Sequence, residues 1–193
     1  MKHMHPIKII AGLMLGLALA MNAPKAADSA PPEKTGLGVG QAAPDWKLSD
    51  QNGKKHTLRS LIQKGPVALV FYRSANWRPF CKKQLVQLQE NLEEIESAGG
   101  RVVAISYDSL DTLKRFARSS GITFPLLSDT DSKTIEAYGV RNLEAAGSRI
   151  DGVPHPGTFI VDQQGIIRFK LFLKGYRDRH EVDALIKAFK KIR

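Results

Sequence analysis

The sequence predicts an α/β protein of three layers, with a mixed β-sheet between helices. Three observations carry this. Two continuous apolar runs, residues 66–72 (PVALVFY) and 101–107 (RVVAISY), have the length and composition of strands buried on both faces. Each is followed by a stretch of helical periodicity. Near the C-terminus two shorter strand-like runs flank a turn and lead into a last helix, so the sheet mixes parallel and antiparallel pairs.

The chain has 193 residues, 42% hydrophobic and 25% charged, which suits one soluble globular domain and argues against a membrane or disordered protein. The first residues read differently. Met1 to Lys8 is basic, Ile9 to Met21 is an apolar run, and small and polar residues follow to Ala27. That order predicts a secretory signal peptide over residues 1–26, in a run too short to span a bilayer comfortably. The mature chain is then expected to be exported, periplasmic or extracellular, with no stable membrane insertion. Residues 27–44, rich in Ala, Pro and Gly, read as a flexible linker, and residues 45–193 as the domain.

Within the domain the elements follow in order. Asp45 to Ser49 and Lys55 to Leu58 read as a hairpin with its turn at Asn52-Gly53. A helical turn spans Leu58 to Gln63, and the first buried strand comes next. An irregular stretch, Arg73 to Arg78, leads to a helix from Pro79 to about Ala98, with Leu85, Leu88, Leu92 and Ile95 on one face and Gly99-Gly100 as its end. After the second buried strand come a helix from Asp111 to Ser119, stopped near Gly121, a strand at Phe124 to Leu127 and a helix at Ser132 to Tyr138. Thr158 to Val161 and Ile166 to Leu173 form a hairpin, and His180 to Ile192 the closing helix.

Charge and side-chain chemistry narrow the function classes. The net charge is +10, or +7 without residues 1–26, and part of it lies on the closing helix as a solvated face. Aromatic residues are 7% and no nucleic-acid module appears, so no nucleic-acid partner is expected. The histidines are scattered and no glycine-rich phosphate loop joins a strand to a helix; no metal and no cofactor are expected.

One residue concentrates the chemistry. Cys81 is the single cysteine, so no internal disulfide forms, and an odd thiol in an exported chain is inert, reactive or paired with another molecule. Pro79 suits the first position of a helix, which places Cys81 in the first turn, where backbone N–H groups and the helix dipole favour an anion. Arg73, Arg78, Lys82 and Lys83 add positive charge nearby in sequence, and all of this favours the reactive thiolate over the thiol. The competing reading is a small buried hydrophobe.

Residues 71–85 (FYRSANWRPFCKKQL) resemble the active-site segment of thioredoxin-fold redoxins, in the peroxiredoxin-like branch related to alkyl hydroperoxide reductase and thiol-specific antioxidant. The likeness extends to residues 40–45 (GQAAPD) and 152–162 (GVPHPGTFIVD). It implies a thioredoxin-like three-layer fold. It also implies an antioxidant oxidoreductase acting on a peroxide or disulfide, with an external thiol reductant such as a thioredoxin-like protein or glutathione. Cys81 matches the peroxidatic cysteine, and Pro156 the proline that is cis beside the thiol in thioredoxin-like proteins.

The chain departs from both parent patterns. A dithiol redoxin would carry its first cysteine at position 78, where Arg78 stands. A peroxiredoxin would have proline at 74, threonine or serine at 78 and arginine at 156; here these are Ser74, Arg78 and Pro156. Arg78 is therefore the candidate to stabilise the thiolate or polarise a peroxide oxygen. His155 is a candidate base or donor, and Trp77, Pro79, Phe80, Pro156 and Tyr72 are expected to shape the site. Three functions stay open: a one-cysteine peroxidase, a catalytically degenerate binding protein, and single-thiol exchange through a mixed disulfide.

Overall fold

A computed structural model describes Met1, residues 35–173 and residues 179–192. Apart from Met1, the expected signal peptide and residues 27–34 lie outside the described residues. Seven strands form one sheet: β1 (Lys47–Asp50), β2 (Lys55–Thr57), β3 (Val67–Phe71), β4 (Arg101–Ser106), β5 (Leu126–Ser128), β6 (Gly157–Val161) and β7 (Ile167–Leu171). Their order is β2-β1-β5-β4-β3-β6-β7. The β3, β4 and β5 strands run parallel, and the remaining neighbours pair antiparallel, so the sheet is mixed as expected.

The central strands are apolar on both faces because helices cover both. On one face Ala68, Val70 and Tyr72 pack with α2 (Pro79–Glu90), α3 (Leu92–Ser97), α4 (Leu110–Ser120) and α6 (Val182–Lys190). On the other, Val67, Leu69 and Phe71 pack with Leu58 of α1 (Leu58–Ile62) and Ile135 of α5 (Lys133–Ala137). Phe71, Tyr138, Phe159 and Phe172 form an aromatic cluster there, with ring centroids 5.1–5.9 Å apart.

Two expectations change. The single helix over residues 79–98 is two, broken at Asn91 (φ −111°, ψ 15°). Asn91 donates from its side-chain amide to the Gln87 carbonyl at 2.8 Å, so the side chain competes with the helix ladder. The linker reading gives way over residues 35–44. There Gly36 and Leu37 donate to the carbonyls of Gly139 and Tyr138, and Gly40 and Ala43 to those of Ile167 and Gly165. Composition alone did not disclose this, because the partners lie about a hundred residues away in the chain.

Candidate active site

The site forms where β3 ends and α2 begins. Tyr72 still donates its backbone N–H to the Ile105 carbonyl, at 3.1 Å, and the chain then leaves the sheet. Asp108, buried just beyond β4, fixes the next residues. Its carboxylate accepts from Ser74 Oγ and the Ala75 N–H, each at 2.7 Å, and from Ser106 Oγ at 2.9 Å. Ser74 Oγ also accepts from the Asn76 N–H at 2.9 Å. Serine at the position where the family pattern has proline thus has a structural use.

Trp77 donates its indole N–H to Tyr107 Oη at 3.1 Å. Two guanidiniums stack on its ring, Arg73 at 5.6 Å and Arg78 at 4.9 Å from the centroid. Arg78 is the N-cap of α2, Pro79 its first residue and Phe80, partly exposed, its second. Cys81 follows, in the first turn as expected, and is fully buried.

A guanidinium from a distant part of the chain reaches the sulfur. Arg179, immediately before His180 and the start of α6, donates from Nη2 to Cys81 Sγ at 3.2 Å. His180 shares a 2.6 Å hydrogen bond with Thr158 Oγ1 of β6. Sequence reasoning missed Arg179, Thr158 and Asp108. The signal for Arg179 was the Arg179-His180 pair directly before the last helix, which carries no mark of its destination.

Tyr72 is buried beside the sulfur. Burial pushes its hydroxyl well above the ordinary tyrosine value, the charges of Asp108 and Cys81 add to this, and Ser106 opposes it. It stays a protonated phenol. His155 is buried, and burial lowers its ring below the usual histidine range, with the charge of Arg73 adding to this and Glu144 opposing it. Its backbone N–H donates to the Val140 carbonyl at 2.7 Å. Pro156 is buried just before Gly157, which pairs with Phe71 of β3. It is not cis: no cis peptide bond occurs among the described residues. The segment is held extended instead, through Pro154 paired with Arg141 and His155 with Val140. Gln84, one helical turn beyond Cys81, is 4% exposed, and its Oε1 has no hydrogen-bond partner among the described residues. Among those residues no group of three or more His, Cys, Asp or Glu stands together as a metal site.

The sequence and the architecture match a known family. Residues 39–170 match the AhpC/TSA family. The chain belongs to that family. Alkyl hydroperoxide reductase E of Mycobacterium tuberculosis is 42% identical over 135 residues, 69% of this chain and 84% of the relative. Peroxiredoxin Bcp of Escherichia coli is 34% identical over 132 residues, 68% of this chain and 83% of the relative. Among solved structures, peroxidoxin BcpB of Mycobacterium tuberculosis superposes with a TM-score of 0.71 at 27% identity, covering 80% of this chain and 97% of that one. The fold is therefore the thioredoxin-like peroxiredoxin fold, and this AhpC/TSA protein is an antioxidant peroxidase, an oxidoreductase that couples a peroxide to a thiol reductant.

Proposed function

We propose that this peroxidase works through one cysteine. The observation that carries the reading is the contact of a guanidinium N–H with the sulfur of Cys81, the single cysteine of the chain, in the first turn of α2. Arg179 offers this sulfur a cationic donor, and the first turn of α2 puts it at the positive end of the helix dipole. The thiolate attacks the peroxide oxygen that bears hydrogen. An S–O bond forms as the O–O bond breaks, and the sulfur gives two electrons to the peroxide. Cys81 becomes a sulfenic acid, and the leaving alkoxide or hydroxide takes a proton from solvent. An external thiol then condenses with the sulfenic acid, releasing water and forming a mixed disulfide. A second external thiol releases Cys81 as that disulfide is completed. Full burial of the sulfur supports a small oxidant, hydrogen peroxide or an alkyl hydroperoxide, over a protein disulfide.

Stopped-flow oxidation with hydrogen peroxide tests the reading. Oxidation much faster than that of free cysteine, giving one sulfenic acid per chain, is expected. A rate equal to that of free cysteine overturns it. Turnover sustained by glutathione or by a thioredoxin-type dithiol identifies the class of reductant. Export is proposed on the basic and apolar start of the chain, Met1 to Met21. It predicts an N-terminus between residues 21 and 28 in protein recovered from outside the cytoplasm, and uncleaved protein confined to the cytoplasm would refute it.

A further inference from the structure

We propose that Arg179 is the catalytic cation of the Cys81 site, set in place by the His180–Thr158 hydrogen bond, and that it replaces the arginine that the family pattern puts at residue 156. The inference rests on the peroxidase reading and specifies its electrostatics.

Position 156 is proline, which offers no charge and no N–H. Two residues further on, in β6, stands Thr158. It pairs in register with Val70 of β3 and lies on the same sheet face as Val70 and Ile160, the face where Cys81 is packed. Its hydroxyl meets His180 Nε2 at 2.6 Å. His180 Nδ1 lies 3.4 Å from the Glu181 carbonyl oxygen, which only accepts. One tautomer satisfies both contacts: Nδ1–H donates to the carbonyl, and Nε2 accepts from the Thr158 hydroxyl. Burial holds the ring below the usual histidine range; the Glu181 carbonyl and carboxylate oppose this and the Arg179 charge adds to it, so the neutral ring is favoured. The strand that carries the cation in the family pattern here carries the anchor for the residue next to it.

Arg179 makes a contact that bears directly on the reacting atom. Its Nη2 donates to Sγ at 3.2 Å, and a guanidinium keeps further N–H donors in the same plane. In the transition state negative charge leaves sulfur for the departing oxygen. A planar donor group that holds the first is placed to meet the second, without reorganisation of solvent. Arg78 stacks on Trp77 at 4.9 Å and is the rival candidate.

Three measurements on the full mature chain test the assignment, with thermal melts to confirm folding. Arg179→Gln is expected to slow oxidation by hydrogen peroxide about 100-fold or more. Arg179→Lys is expected to retain part of the rate, because charge is kept and the fork is lost. Thr158→Val, which leaves shape and removes the hydroxyl, is expected to slow oxidation by roughly tenfold, the size of one lost hydrogen bond, and Thr158→Ser to restore it. A loss of rate in Thr158→Val without a matching fall in melting temperature separates positioning of Arg179 from a purely structural role. Alkylation by iodoacetamide gives a readout independent of peroxide: Arg179→Gln is expected to react more slowly, because the guanidinium contact with the sulfur is gone. Unchanged oxidation and alkylation in Arg179→Gln overturn the proposal, as does loss of rate in Arg78→Gln with none in Arg179→Gln. If the parent protein itself reacts with peroxide no faster than free cysteine, the peroxidase reading fails instead. Alkylation then still decides whether Arg179 governs the thiolate.

Discussion

Asp108 makes a sharp test of how the site is built. Asp108→Ala removes the common acceptor of Ser74 Oγ, the Ala75 N–H and Ser106 Oγ. A hydrogen bond to a charged group contributes about 1.5–3 kcal/mol, and a buried donor left without a partner costs a similar amount. The Ala75 N–H cannot rotate away, so it loses its bond in full. The two hydroxyls can turn to other acceptors and lose part. Together these give a destabilisation of roughly 4 kcal/mol. Asp108→Asn separates charge from shape. Its amide oxygen, placed where Oδ2 stands, still accepts from Ala75 and Ser106, and its NH2 faces Ser74 Oγ, so the loss is about 1–2 kcal/mol. Urea unfolding followed by the fluorescence of Trp46 and Trp77 measures both, with the m-value required to stay constant. The rate of Cys81 oxidation should fall in the same order, because this loop launches the helix that carries the thiol. The reasoning is refuted if Asp108→Ala lies within about 1 kcal/mol of the parent, or if Asn is as damaging as Ala.

Other perturbations have equally definite expected outcomes. In Gly100→Ala the new Cβ would overlap the Phe189 ring, so that ring and α6 must shift away from the turn before β4. A Tm lower by about 3–10 °C, partly recovered by adding Phe189→Leu, is expected in thermal melts. In Gln84→Met the unpartnered buried Oε1 is removed, and stability should rise by about 1 kcal/mol in urea. The rings of His155 and His180 titrate below the usual histidine range when folded. The unfolded chain therefore binds protons at these rings near pH 6.5, where the folded chain does not, and acidification favours unfolding. The urea midpoint should drop from about pH 7 to about pH 5, and His155→Gln should flatten that slope; an unchanged slope would remove His155 from the account.

Much of the frame was legible in the sequence because it rests on local pattern. The apolar runs of β3 and β4, the Asn52-Gly53 turn, the stop at Gly121 and the placement of Pro79 and Cys81 in the first helical turn need only neighbours in the chain. What was missed depends on partners that local pattern does not contain. Nothing near Asp108 announces that its carboxylate gathers a loop more than thirty residues earlier. Residues 35–44 look like a linker until the edges they pair with are in place. Arg78 drew attention because it is three residues from Cys81, yet its guanidinium lies over Trp77. The arginine that touches the sulfur is distant in sequence, brought there by the sheet and by the approach to α6. Pro156 shows the opposite error: a motif suggested a cis bond, and pairing with residues 140–142 keeps the segment extended.

The contact between Cys81 and Arg179 joins points 98 residues apart. A chain still emerging from a ribosome has Cys81 without its guanidinium partner, because residue 179 has not yet been made. The contact exists only once the segment that carries Arg179 has docked against the sheet. Oxidation of Cys81 by hydrogen peroxide should consequently fall to the rate of free cysteine as tertiary structure is lost along a urea titration. A reactive thiol that outlives the cooperative transition would show that the sulfur owes its activation to α2 alone.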